Sequence, residues 1–304
     1  MGSMPVLMIV FNRPETTERV FGEVRKYAPE KLYVAADGPR PDKPDAECCA
    51  AVRKIFDRVD WPCEVKTLFS PGNLGCRNAP PAGISWFFEH EKAGIILEDD
   101  CLPSQDFFRF CEEMSNRYEG DERIMLISGN CYFDRPANSA DYTFSRFVWT
   151  WGWATTREAW AKFDHDMKDF PQFKQSGRIR SCLPGHPYMQ WRLIRIFQKC
   201  YEKSPYFYDV WDWMWSYAVL KNHGLCIVPN RNLVSNIGLE NASHSMNRRA
   251  VNRPLQPLPE KLCHPADIKP DDANDLRLFK LLHGGDWKDR VRYLLHCLTG
   301  MDWM

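Results

Sequence analysis

Glu98, Asp99 and Asp100 stand side by side in GIILEDDCLPSQDFF, Gly94 to Phe108, directly after a run of small and apolar residues. A buried strand that ends in three carboxylates gathers negative charge at one point of the fold. Hard cations such as Mg2+ or Mn2+ prefer carboxylate oxygen. Mg2+ sites take one or two protein carboxylates, with substrate phosphates completing the shell. The same stretch also reads as a helix start, with Ser104 capping QDFFRFCEEM and acidic residues placed near the positive end of the helix dipole. Further along, Asp212 is the lone carboxylate in Trp211-Asp212-Trp213-Met214-Trp215. Flanking aromatics are expected to desolvate it and raise its pKa, which suits a general base. The plain alternative is an exposed helix position whose Trp neighbours pack elsewhere.

The elements that must hold these groups are visible as alternating patterns. Pro5 to Phe11 is a continuous apolar run, followed by ETTERVFGEVRKY with Val20, Phe21, Val24 and Tyr27 at helical spacing. Strands are predicted again at Lys31 to Ala36, Cys63 to Phe69, Gly94 to Glu98 and in RIMLIS. Helices are predicted at Pro44 to Val59, at Pro80 to Glu91, where prolines open the first turn, and after Ser104. Alternation of this kind predicts an α/β fold around a mostly parallel sheet, and such sheets bind ligands beyond the carboxyl ends of their strands. Asn12-Arg13, Asp37-Gly38, the loop from Gly72-Asn73 to Arg77 and Glu98-Asp99-Asp100 all fall there. Asp37 can accept a hydrogen bond from a base N–H, and Arg13 and Arg77 can make charge-assisted bonds to phosphate or ribose. Neither GxxxxGK[ST] nor GxGxxG is present, which argues against NTP hydrolysis and dinucleotide binding.

Composition narrows the class. At 304 residues the chain can bury a large core, and 40 Lys plus Arg against 40 Asp plus Glu leave no net field to recruit nucleic acid. The 12 cysteines show no zinc-site spacing and are expected to be reduced, as in a cytoplasmic protein. No apolar run approaches the roughly 20 residues that span a bilayer. Many of the 12 Trp cluster between Trp149 and Trp215, where core packing is the first expectation for each. Arg248 to Pro259 is polar and Pro-rich and is expected to be a mobile loop or linker, before two short amphipathic helices. These helices are expected to pack on the domain, with peripheral contact at the inner face of a membrane as the alternative.

PVLMIVFNRPETTERVF, AADGPR, GIILEDDCLPSQDFFRF, WTWGWATTREAW, VWDWMW and GLCIVPNRNLVSNIGLENASHS resemble, in order, the GT-A glycosyltransferases of the N-acetylglucosaminyltransferase I type and their bacterial nucleotide-diphospho-sugar transferase relatives, some labelled hemolysin-like. The resemblance spans roughly Pro5 to Ser245. It implies a GT-A, Rossmann-like nucleotide-diphospho-sugar transferase fold divided into a nucleotide-sugar-binding half (1–132), an acceptor and catalytic half of the same domain (133–247), and a loop with a helical tail (248–304). It further implies a UDP-sugar donor, Mn2+ or Mg2+, and a glycan, glycolipid or glycoprotein acceptor. By the same resemblance Asp100 binds the metal, Asp99 lies near the ribose and Glu98 near the donor sugar. Asp37 contacts uracil, Phe11 and Arg13 line the nucleotide pocket, and Arg77 lies near another uridine contact. Trp211 sets a ring against the sugar and Asp212 is the base. His244 either completes the metal shell, or meets the diphosphate, or is a solvated loop residue. Asn12, Phe11 and Trp213 depart from the family's pattern, which bears on the sugar and the acceptor. Two rival readings are a nucleotidyltransferase on a related sheet, which normally carries a Gly-rich basic loop that FNRPETT lacks, and a carbohydrate-binding protein without catalysis.

Overall fold

The apolar runs of the first hundred residues are continuous because both faces of the sheet they form are covered. In the computed structural model, which describes residues 2–133, 139–238, 253–282, 285 and 287–299, these runs become β1 (Val6–Val10), β2 (Lys31–Ala36) and β4 (Ala93–Glu98), and the largely exposed β3 (Glu64–Phe69) joins them at the sheet edge. The intervening patterns form α1 (Pro14–Tyr27), α2 (Ala46–Ile55) with a 3-10 turn at Phe56–Arg58, and α3 (Ala79–His90). Then follow β5 (Cys101–Pro103), α4 (Gln105–Arg117), β6 (Ile124–Ser128), β7 (Tyr142–Ser145) and β8 (Trp153–Thr156). A series of helices comes next: α5 (Arg157–Trp160), α6 (Phe170–Ser176), α7 (Ile179–Cys182), α8 (Pro187–Tyr201), α9 (Pro205–Tyr208) and α10 (Asp212–Lys221). The chain closes with β9 (Leu225–Pro229), β10 (Val234–Asn236), α11 (Asp272–Leu282) and α12 (Trp287–Thr299).

Eight strands form one sheet in the order β3-β2-β1-β4-β8-β6-β9-β7. β3, β2, β1 and β4 are mutually parallel, β6 and β9 are parallel to each other, and β8 runs antiparallel between β4 and β6. The expected α/β fold with a mostly parallel central sheet is therefore the one observed. Alternation along β1 sends Leu7 and Ile9 into one core with Tyr33, Ile84 and Phe87, and Val6, Met8 and Val10 into the other with Val20, Phe21 and Phe107. Residues from both halves of the chain enter both cores, Trp153 and Trp215 on the first face and Ile227 and Val234 on the second.

Two expectations require correction. Ser104 occupies the N-cap position of α4, but its side chain makes no capping bond, and its buried hydroxyl has no partner among the described residues. The N–H of Phe107, which a capping hydroxyl would receive, donates instead to the Ser104 carbonyl at 3.1 Å, while Ser104 N donates to Leu233 O at 2.8 Å. Nor is the described part of the Pro-rich stretch a loose linker. Asn232 Nδ2 and Ser235 Oγ both donate to Arg253 O, Gln256 N donates to Asn232 O, and Leu258 and Leu262 are buried. Its extended backbone finds its hydrogen-bond partners in the β9–β10 region. Residues 248–252 lie outside the described residues.

The strand that carries the acidic triplet is packed to the limit at its other end. A Cβ at Gly94 would lie 2.3 Å from Phe87 Cζ and 2.9 Å from Pro5 O. Phe87 is fully buried and cannot yield. Gly94→Ala is expected to cost about 1–3 kcal/mol through overpacking. Calorimetry should record a fall in Tm of several degrees, and an unchanged Tm would contradict the packing described.

Candidate functional site

The chain order β1, β2, β3 runs outward in one direction, and β4 then returns to the other side of β1. The crevice where strand order reverses, beyond the carboxyl ends of β1 and β4, is the expected ligand site of such a sheet. Phe11, Asn12 and Arg13 emerge there from β1, and Glu98, Asp99 and Asp100 from β4. Arg13, at the N-cap of α1, donates from Nη1 to Asp100 Oδ2 at 2.7 Å and to Asp99 Oδ1 at 3.3 Å. The backbone N–H of Phe11 donates to Asp99 Oδ2 at 3.1 Å.

Electrostatics follow from crowding. Desolvation first, then Asp100, Asp99 and Asp212, push Glu98 from 4.5 up to about 8, against a smaller opposing pull from Arg13. Desolvation also raises Asp99, to about 6, with Arg13 as the main restraint. Asp212, in the first turn of α10, thus acts on the same space as the triplet. Desolvation followed by Glu98, Asp212 and Asp209 pushes the Cys76 thiol up to about 12, so the loop before Arg77 faces this charge as well.

The other expected residues lie as follows. Asp37 continues β2, and its N–H donates to Val10 O. Its Oδ1 accepts from Gly38 N and Leu74 N, and its Oδ2 from Asn73 Nδ2 and Gly75 N, at 2.8 to 3.1 Å. A base N–H would compete with these donors for the carboxylate. Arg40 stacks over the Phe11 ring at 5.5 Å and binds Asp45, which also accepts from Asn12 Nδ2. Arg77 is buried and donates to His165 O at 3.2 Å. Trp211 is 4% exposed, stacked on Trp153 at 6.1 Å and set against Trp160, so its ring belongs to the aromatic core and little of it faces the crevice. Asp212, the next residue, is half-buried and accepts from Trp213 N at 2.9 Å. The aromatic cluster therefore packs directly beside the first residue of α10. His244 lies outside the described residues.

Sequence reasoning missed the β5–β10 pairing, an antiparallel ladder that joins Cys101–Pro103 to Val234–Asn236. It brings Asn236 Nδ2 to 3.4 Å from Asp100 Oδ1 and lets Ile237 N donate to Asp100 O. Gly238 then lies against the Asp100 carboxylate, and a Cβ there would fall 2.3 Å from Oδ2. No periodicity announces a contact between segments more than 130 positions apart. The glycine in VSNIG was the sole local sign of a close approach.

Among the described residues no three His, Cys, Asp or Glu side chains gather closely enough to hold a metal by themselves. The donor set still fits a divalent cation whose shell is completed by substrate phosphates, since one or two carboxylates suffice for that. Asp100, whose carboxylate lies beside Gly238, Asn236 and Arg13, could hold such a cation together with Glu98 or Asp99.

No protein-family model and no curated protein sequence matches the chain. Among solved structures, a mannosyltransferase from Pyrobaculum calidifontis in complex with GDP-Man and Mn2+ is 14% identical, with a TM-score of 0.41 over 72% of this chain and 70% of that one. Mouse xyloside xylosyltransferase 1 is 9% identical, with a TM-score of 0.39 over 71% and 81%. A 4-diphosphocytidyl-2C-methyl-D-erythritol synthase from Anaerococcus prevotii is 9% identical, with a TM-score of 0.34 over 52% and 74%. These likenesses are distant, and none identifies which residues of this chain act.

The raised carboxylates set a pH dependence. Glu98, Asp99 and the buried Asp275, also raised to about 6, hold protons in the folded chain that the unfolded chain has released. The stability they contribute is complete below their unfolded pKa values and is lost as pH rises through about 6 and then about 8. In EDTA, Tm is expected to decline between about pH 5 and about pH 8.5, with Glu98→Gln flattening the upper part of the decline. A Tm that holds or climbs across that window would refute the assignment.

Proposed function

We propose that the protein is a metal-dependent glycosyltransferase that moves a sugar from UDP to an acceptor hydroxyl with inversion. The observation that carries this reading is the convergence of Glu98, Asp99, Asp100 and Asp212 on the crevice at the strand-order reversal, with Arg13 as the close counter-charge. The family resemblance supplies the donor class and the roles, and an N-acetylglucosamine-like sugar is its best match.

In this reading Phe11, Asp37 and Arg77 bound the uridine, Asp99 the ribose, and Glu98 the donor sugar. Trp211 stands behind the sugar as part of the wall that fixes its neighbour. Asp100 would hold Mn2+ or Mg2+, which supplies positive charge for a departing diphosphate. Asp212 accepts the proton of the acceptor hydroxyl as that oxygen bonds to the anomeric carbon. The bond from the anomeric carbon to the diphosphate oxygen breaks with its electron pair, and UDP leaves. Arg13, already bound to Asp99 and Asp100, holds the acidic groups in register before the donor arrives. The first strand passes into α1 without a Gly-rich loop, which supports sugar transfer over nucleotidyl transfer.

Incubation with a panel of nucleotide sugars and Mn2+, scored by slow donor hydrolysis, should single out one donor without knowledge of the acceptor. Asp212→Asn is expected to lower turnover by roughly 10²–10⁴-fold while UDP binding persists. Loss of UDP binding instead would count against Asp212 as base. In calorimetry, Asp100→Ala should abolish the Mn2+ dependence of UDP binding, and Gly238→Ala should weaken it by crowding the same carboxylate. Metal-dependent binding left intact in both variants would overturn the ligand assignment.

A further inference from the structure

The last helix presents an apolar stripe to solvent. Eleven large hydrophobic side chains are exposed among the described residues, and six of them, Leu281, Trp287, Val291, Leu294, Leu295 and Leu298, lie within the last two helices. Trp287 is 70% exposed, Leu294 60% and Leu298 82%. At 100° per residue, positions 287, 291, 294, 295 and 298 share one side of α12. The opposite side carries the contacts to the domain. Asp289 pairs with Arg192 at 3.2 Å, Tyr293 packs on Tyr188 and Trp191, and His296 lies against Trp191. The stripe therefore points directly away from the protein to which its own helix is fastened. Lys288 and Arg290, both exposed, flank it on its two sides, while the one acidic residue of the helix, Asp289, is buried and neutralised by Arg192 and Arg292.

We infer that α12 is an interfacial anchor that lies in the surface of an anionic lipid bilayer, Trp287, Val291, Leu294 and Leu298 entering the acyl boundary and Lys288 and Arg290 meeting the headgroups. An apolar stripe bordered by cations is the pattern of helices that rest in a membrane plane. A second copy of the chain is the poorer occupant. A helix of 13 residues is about 20 Å long and about 10 Å wide. The stripe thus offers on the order of 200–300 Å2, against roughly 800 Å2 buried per partner in a stable dimer. A bilayer needs no such area and no shape complementarity, and its negative surface potential suits the flanking Lys288 and Arg290. No described helix is long and apolar enough to cross a membrane, so the contact is at the surface. The inference stands independently of the catalytic reading.

Flotation of the full chain with vesicles tests it, comparing pure phosphatidylcholine with a mixture containing roughly 30% phosphatidylglycerol. The chain should float with the anionic vesicles and far less with the neutral ones. Leu294→Glu with Leu298→Glu should cut the bound fraction roughly tenfold or more, since each change places a charge where an apolar group was buried. Lys288→Glu with Arg290→Glu should erase the preference for anionic lipid. All four side chains face solvent, and circular dichroism should show both variants folded. The inference falls if the wild-type chain stays soluble with anionic vesicles, or if the leucine variant floats as well as wild type. It also falls if sedimentation without lipid reveals a dimer that the leucine variant dissolves, which would assign the stripe to a second copy.

Discussion

The pairing of Arg13 with Asp99 and Asp100 is the contact on which the crevice depends. Burial of adjacent carboxylates carries a desolvation cost and a mutual repulsion, and each is relieved by neutralisation or by an opposite charge. At the end of β4 both remedies operate. Glu98 tends toward its protonated form, while Asp99 and Asp100 share one guanidinium supplied by the other side of the strand-order reversal. Parallel pairing of β1 with β4 sets Ile9 level with Glu98, which is why the residues that follow each strand meet. The negative charge is thus a product of sheet register, and α1, which opens at Pro14, holds the answering cation.

A second restraint arrives from far along the chain. β10 pairs with β5 just beyond the triplet, so the backbone of Asp100 is gripped by Ile237 and its carboxylate by Asn236. Two of the three acidic residues are therefore held from the β1 side and one of them also from the β10 side. On the opposite wall, Trp153, Trp160, Trp211 and Trp215 interlock at centroid separations of 5.2 to 6.3 Å. Such a rigid aromatic block offers a carboxylate at the start of α10 little freedom to swing away.

The parallel half of the sheet was readable because covered strands leave continuous apolar runs, and β2 matches the predicted span Lys31 to Ala36 residue for residue. The placement of Arg13, Asp37 and Glu98-Asp99-Asp100 at strand ends followed from the same pattern. The insertion of β8 between β4 and β6 did not, because a four-residue strand, WATT, carries too few residues to show a period. Nor did the role of Trp211, since sequence reveals that a ring is present but not which neighbours cover it. The Ser104 cap failed for a related reason. A capping motif supplies a hydroxyl but does not decide which oxygen the first-turn N–H chooses, and Phe107 N donates to the Ser104 carbonyl. The Pro-rich stretch after Asn252 misled in the same way, its order coming from partners such as Asn232 and Ser235 rather than from its own composition.

These long-range ties also explain how the tail belongs to the fold. Asp275 on α11 accepts from Ser145 Oγ at 2.6 Å and from the Arg146 backbone and guanidinium, so a buried carboxylate fastens the tail to the end of β7. α12 then packs on α8 through Tyr188, Trp191 and Arg192, and Phe197 of α8 meets Trp213 and Tyr217 of α10. Asp212 is the first residue of α10. The outermost helix and the candidate base are thus members of one continuous layer, joined by aromatic contacts rather than by a tether.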